Sequence, residues 1–209
     1  VSTLDPTSSP VSADPVEFAL HAWVDESIHA PGAEHSGMYV LASVVADPEG
    51  CDHPRDSLVR LVPRGRGRLH WRDEDTPLRE KVTAVIAECD FASVVVVGAR
   101  WANPKAQERA RRHCMRRLLF ELEQLGVSQV WLESRTSSLN KRDLQLVNAL
   151  RSENAISAAL RVDFGLPSVE PMLWVPDAIA GAVAGARKGS RAGHRQVLGS
   201  MVQEIEIAL

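Results

Sequence analysis

The sequence predicts an α/β domain with a mixed sheet of about five to six strands flanked by helices. Apolar runs rich in Val, Leu and aromatic residues recur at residues 21–24, 38–46, 91–99, 127–132 and 158–164, as buried strands require. Between them lie segments with helix-start residues and apolar stripes at helical spacing, so strands alternate with helices. A hydrophobic share of 44% over 209 residues supplies a substantial core, which suits one domain over residues 17–209.

Residues 1–16, rich in Ser, Pro, Thr and Asp, bury little and are expected to form a flexible tail. His21-Ala22-Trp23-Val24 is the first strand, and it ends abruptly in Asp25-Glu26-Ser27. A Gly- and Pro-containing loop from His29 to Gly37 leads into Met38–Ala46, a second strand expected antiparallel to the first. From Asp47 to Asp75 the pattern breaks up, with a short apolar cluster at Leu58–Val62, then Arg64-Gly65-Arg66-Gly67-Arg68. Leu69–Asp75 adds a possible short strand with His70, Trp71 and acids that include Glu74. Thr76-Pro77 opens a helix through Glu88, with Thr76 as cap.

Phe91–Ala99 lacks polar alternation and is expected to be a central strand covered on both faces. Asn103-Pro104 starts the longest helix and Gly126 ends it in the left-handed conformation. Its stripe of Ala106, Ala110, Cys114, Leu118, Leu122 and Leu125 faces the core. Arg109, Arg112 and Arg116, joined by Arg111 and Arg117, form the densest basic patch, on another face. Val127–Glu133 then repeats the opening theme, an apolar strand closing on a carboxylate. Asn140 with Asp143 caps a helix through Glu153, and Ala158–Phe164 is a further strand. Trp174–Gly185 is a helix of small residues with Asp177 in its first turn. Gly181 and Gly185 suit close packing of that helix on a sheet, and an amphipathic segment closes the chain.

A net charge of −3 exerts no global pull toward nucleic acid or membranes, so any such attraction is local. The positive charge is nearly all Arg, whose planar fork suits phosphate oxygens. Two local patches are therefore nucleic-acid-binding candidates: the pliable loop with Arg64, Arg66 and Arg68, and the helix face with Arg109, Arg112 and Arg116. Each also reads as a solvated surface. Cys51, Cys89 and Cys114 show no paired spacing, which points to a reducing, cytoplasmic setting. Neither a leader-like segment nor a stretch long enough to span a membrane is present, so no membrane partner is expected. A homodimer is left open.

The chemistry is expected at the strand ends. Burying an unpaired carboxylate costs several kcal/mol, so Asp25 should meet a cation, a donor cluster or water. Asp25 and Glu133 at strand ends, with Asp177 on a late helix, make an oxygen donor set suited to Mg²⁺ or Mn²⁺. Two such ions about 4 Å apart activate a water and stabilise the leaving oxygen of a phosphodiester. The same acids also serve blander ends, Asp25 as a turn residue and Asp177 as complement to a helix dipole.

Over roughly residues 20–187 the sequence resembles the bacterial domain-of-unknown-function 3800 family. Asp25-Glu26-Ser27-Ile28 matches its opening D-E-S-G strand end, and Val130-Trp131-Leu132-Glu133 its central strand ending in an acid. Leu173 to Gly181 matches its leucine-rich segment with A-D-x-I-A-G, and His70-Trp71 falls where members carry a motif beside the site. The resemblance implies an RNase H-like fold and a metal-dependent nuclease. It makes Asp25, Glu133 and Asp177 catalytic metal holders, Glu26 or Glu74 a further ligand, and His70 a proton shuttle or phosphate contact. Ile28 replaces the family's glycine, Glu133 its commoner Asp, and Pro176 its alanine; none of these removes a carboxylate. The competing reading from another class is a catalytically silent RNase H-like module that binds nucleic acid or a protein. A zinc site from His29, His35, Cys51 and His53 matches no familiar spacing, and an aspartyl phosphatase would want a D-x-D pair where Asp25-Glu26-Ser27 stands.

Overall fold

The computed structural model describes residues 19–32, 37–101, 106–189 and 192–209. The expected tail over 1–16, the helix start at Asn103-Pro104 and His35 lie outside the described residues. The first apolar run forms β1 (Leu20–His29), and β2 (Gly37–Ala46) pairs with it antiparallel from His21↔Ala46 to His29↔Met38. β3 (Ser93–Trp101) is antiparallel to β2, while β4 (Val127–Glu133) is parallel to β1. β5 (Arg161–Gly165) runs parallel to β4, and β6 (Val202–Ala208) parallel to β3. The result is a six-stranded mixed sheet in the order β5-β4-β1-β2-β3-β6, the predicted α/β class.

The helices are α1 (Asp52–Leu61), α2 (Thr76–Ala87), α3 (Gln107–Gln124), α4 (Ser137–Ser152), α5 (Trp174–Arg187) and α6 (Ala192–Leu198). They cover both faces of the sheet. Because side chains alternate along a strand, Trp23, Ala42 and Val95 meet Leu58, Ile86, Ile179 and Leu198 from α1, α2, α5 and α6. On the opposite face Ala22, Val24, Leu41 and Val96 meet Cys114, Leu118, Leu146 and Leu150 from α3 and α4. Two-sided cover is what the unbroken Val94–Val97 run requires.

Several elements differ from the sequence expectation. The Leu58–Val62 cluster belongs to α1, whose buried residues are only Pro54 and Leu58, too thin a stripe to show a period. Leu69–Asp75 holds no strand; a 3₁₀ turn over Trp71–Asp73 takes its place. The cap of α2 is Asp75, one residue before Thr76, its Oδ1 accepting from the Leu78 N–H at 2.9 Å. Helix α4 begins at Ser137, so Asn140 does not cap it; Asn140 Oδ1 instead accepts from the Arg135 N–H at 2.8 Å. The closing amphipathic segment is α6 followed by the edge strand β6. Gly126 does end α3, with φ 78, whereas Leu125 of the predicted stripe is exposed and Met115 and Leu119 are buried instead.

Candidate functional site

Trp23-Val24-Asp25 and Trp131-Leu132-Glu133 are the same phrase on neighbouring parallel strands. Their register is in phase, Trp23↔Trp131 and Val24↔Leu132. With a side-chain period of two, each acid falls on the face of its own tryptophan. The ladder stops at Val24↔Leu132, so Asp25 and Glu133 are the next pair beyond it; Glu133 ends β4 as expected, whereas β1 does not end at Asp25 but continues along β2 to His29. Helix α5 packs on that same face and carries Asp177 in its first turn.

Asp177 is held by the loop before α2. Its Oδ2 accepts from the Trp71 N–H at 2.8 Å and lies 3.2 Å from His70 Nδ1. The loop is fixed from beneath: Glu74, buried, takes two contacts from Arg66 Nη1 at 2.9 and 3.0 Å and one from the His70 N–H at 3.3 Å. The Trp71 ring lies directly against Gly181, where a Cβ would have no room. Arg79 secures it further, donating from Nε to the Trp71 carbonyl at 2.9 Å with its guanidinium 5.3 Å over the ring.

These groups border a cleft of about 210 Å³ walled by Asp25, Glu133, Asp177, Arg68, His70 and Trp174. Burial, then the charges of Glu133 and Asp177 and a hydrogen bond with Glu133, hold Asp25 well above the ordinary carboxylate range; Arg111 opposes them. His70 is raised by its hydrogen bond to Asp177 against the effect of burial. Arg68 Nη1 stands 3.6 Å from Glu133 Oε1. Carboxylate oxygens crowded together in a buried cleft match the chemistry of a hard-cation site. Among the described residues no group of three or more His, Cys, Asp or Glu is spaced to hold a metal ion as it stands.

The other predicted ligands have different partners. Glu26 borders the same cleft, while its carboxylate reaches toward the α3 layer and pairs with Arg111. Arg111, only 2% exposed, also donates to Asp143 at 2.9 and 3.2 Å and to the Tyr39 hydroxyl at 3.2 Å. Arg135 closes the network with contacts of 2.8 and 3.0 Å to Asp143. Arg111 is thus no part of the exposed patch, and its place one turn from Cys114 and Met115 was the signal. Glu74 is clamped by Arg66 outside the cleft wall. His29 sits at the far end of β1 and bonds Ser27, while Cys51 is buried at the start of α1 and His53 lies on that helix.

The basic candidates are spread out. Arg68 reaches the cleft, Arg66 is held by Glu74, and Arg64 is exposed on the loop between them and α1. Arg109, Arg112 and Arg116 are exposed on α3, on the layer opposite α5, with Arg116 paired to Glu153 at 2.8 Å. Among the described residues no helix is long and apolar enough to cross a membrane.

No family model and no curated protein match the chain. Among solved structures it is similar to a chain in the PCNA:RNase HII complex from Archaeoglobus fulgidus, at 17% identity over 85% of this chain and 77% of that one, with a TM-score of 0.49.

Proposed function

We propose that this chain is a divalent-metal-dependent nuclease hydrolysing phosphodiester bonds at the Asp25, Glu133 and Asp177 cleft. The observation that carries it is the convergence of carboxylates from β1, β4 and α5 on one cleft, close enough to push the Asp25 pKa upward. Structural acids are ordinarily paired with cations, as Glu26 and Glu74 are here; functional sites are where like charges are kept together. The resemblance of the Asp25, Glu133 and Asp177 segments to the domain-of-unknown-function 3800 family, with its RNase H-like nuclease site, supports the same reading.

Asp25, Glu133 and Asp177 would hold Mg²⁺ or Mn²⁺, with Asp25 releasing its shared proton to do so. When bound, such a cation lowers the pKa of water and offsets charge on the leaving oxygen. The Trp71 N–H fixes Asp177 Oδ2 in the cleft wall. His70, its pKa raised by its hydrogen bond to Asp177, stands at the same wall, placed to pass a proton to a leaving oxygen. Arg68, beside Glu133, supplies a guanidinium for a non-bridging phosphate oxygen.

The test is cleavage of labelled single-stranded, duplex and hybrid nucleic acids with Mn²⁺, Mg²⁺ or EDTA, by wild type, Asp25→Asn and Asp177→Asn. Metal-requiring cleavage lost in both variants supports the proposal. Folded wild type that cleaves no substrate, or equal cleavage by all three proteins, replaces it with a silent binding module.

A further inference from the structure

A second hollow, of about 620 Å³, opens from the carboxylate cleft and shares Glu26, His70 and Asp177 with it. The end of β1, with Ser27 and His29, forms one wall, and Trp71 and Arg72 form the other. Between them lies α5, from Asp177 to Lys188, a distance of about 16 Å at the helical rise. The hollow is therefore a walled trough that begins at the candidate active site and leads away from it.

Its charge changes along its length. At the cleft end the acids are Glu26, whose carboxylate is neutralised by Arg111, and Asp177. Away from the cleft stand Arg72, Arg79 and Lys188, with Arg72 and Lys188 exposed. Lys188 Nζ is 2.6 Å from His29 Nδ1, and His29 Nε2 is 3.2 Å from Ser27 Oγ. An ammonium only donates, so Nδ1 is the acceptor and Nε2 carries the proton offered to Ser27. That chain fixes the Lys188 charge against the β1 wall without cancelling it. On the opposite wall Arg79 Nη2 donates to the Arg72 carbonyl at 3.1 Å, which holds the Arg72 backbone and leaves its guanidinium exposed. Cations on both walls of a trough that starts at the proposed phosphodiester-cleaving cleft suit a chain of phosphates.

We infer that this trough holds the backbone of a single nucleic-acid strand, with Arg72 and Lys188 on the phosphates beyond the one at the Asp25, Glu133 and Asp177 cleft. The choice of a phosphate chain and its direction rest on the nuclease reading; binding itself is measured without cleavage. It also moves the nucleic-acid contact from the α3 face, across the sheet, to the α5 side.

The experiment uses the full chain, a fluorescein-labelled oligothymidylate and anisotropy in EDTA over a series of KCl concentrations. The double variant Arg72→Ala with Lys188→Ala is expected to bind more weakly, with a log–log salt slope shallower by about 1.4, the value for two lost phosphate contacts on a single strand. An unchanged slope overturns the inference. So does the same loss appearing in Arg109→Ala with Arg112→Ala instead, or an unlabelled duplex competing better than the unlabelled single strand. Cleavage run in parallel separates the two claims. A wild type that cleaves while the Arg72 and Lys188 variant keeps its slope removes the trough alone. A wild type that cleaves nothing but binds through Arg72 and Lys188 removes the nuclease reading and upholds the trough.

Discussion

Replacing Asp25 by Asn is expected to stabilise the metal-free protein while removing its response to a divalent cation. Asp25 is 9% exposed and faces both Glu133 and Asp177. A like-charge pair at 4 Å is worth about 1 kcal/mol in bulk water and about 4 at the screening typical near a protein surface. Burial first, and then this repulsion, favour the protonated form and raise the folded pKa above the ordinary 3.8. Over the window between those two values the folded state keeps a proton that the unfolded chain has released. The Asp25 contribution is therefore fully present below pH 3.8 and is lost as pH rises through the folded pKa. Asn keeps the shape, offers an amide N–H to Glu133 and abolishes that loss. The expected gain in EDTA is about 1–2 kcal/mol, or roughly 2–8 °C in Tm, widening with pH. Thermal unfolding followed by Trp fluorescence over a pH series measures it. Mn²⁺ at a hundred times its Kd should then add about 2.7 kcal/mol to wild type and nearly nothing to the variant. A variant less stable than wild type at every pH, or one with an equal Mn²⁺ shift, refutes the reasoning.

Other perturbations separate the cleft from its supports. Arg111→Met leaves Glu26 without its buried cation and Asp143 with Arg135 alone, and should cost about 3–5 kcal/mol in urea unfolding, whereas Arg116→Ala, half exposed opposite a half-exposed Glu153, should cost less than about 1. Gly181→Ala drives a methyl into the Trp71 ring and should cost about 1–3 kcal/mol, with a change in Trp emission as the ring moves. In an NMR titration His70 should titrate above 6.5 in wild type and fall back in Asp177→Asn, since the hydrogen bond is the leading cause of its rise. The stability supplied by that contact is fully present below pH 6.5 and is lost as pH climbs through the folded His70 value.

The cleft was legible because Trp23-Val24-Asp25 and Trp131-Leu132-Glu133 share one pattern, and pattern plus period decides which face an acid takes. The same alternation sends the Glu26 carboxylate toward Arg111 on α3, although Glu26 still borders the cleft. Arg111 was misread because a charged side chain was counted by its type instead of by its helical position beside Cys114 and Met115. Glu74 carried no local signal: its partner Arg66 is brought to it by the fold of the 64–74 loop. Helix α1 was hidden by its thin apolar stripe. Strand β6 was not recognised although Glu204, Ile205, Glu206 and Ile207 alternate with period two, because its pairing partner β3 lies more than a hundred residues earlier.

The central claim is that Asp25, Glu133 and Asp177, and not Glu26 or Glu74, build one cation site. Electron paramagnetic resonance of Mn²⁺ titrated into the full chain tests it most directly, comparing wild type with Asp25→Asn, Glu133→Gln, Asp177→Asn, Glu26→Gln and Glu74→Gln. The first three variants should leave Mn²⁺ free in solution, while the last two bind it as wild type does. Mn²⁺ bound equally by all five variants, or released only by Glu26→Gln or Glu74→Gln, would contradict it.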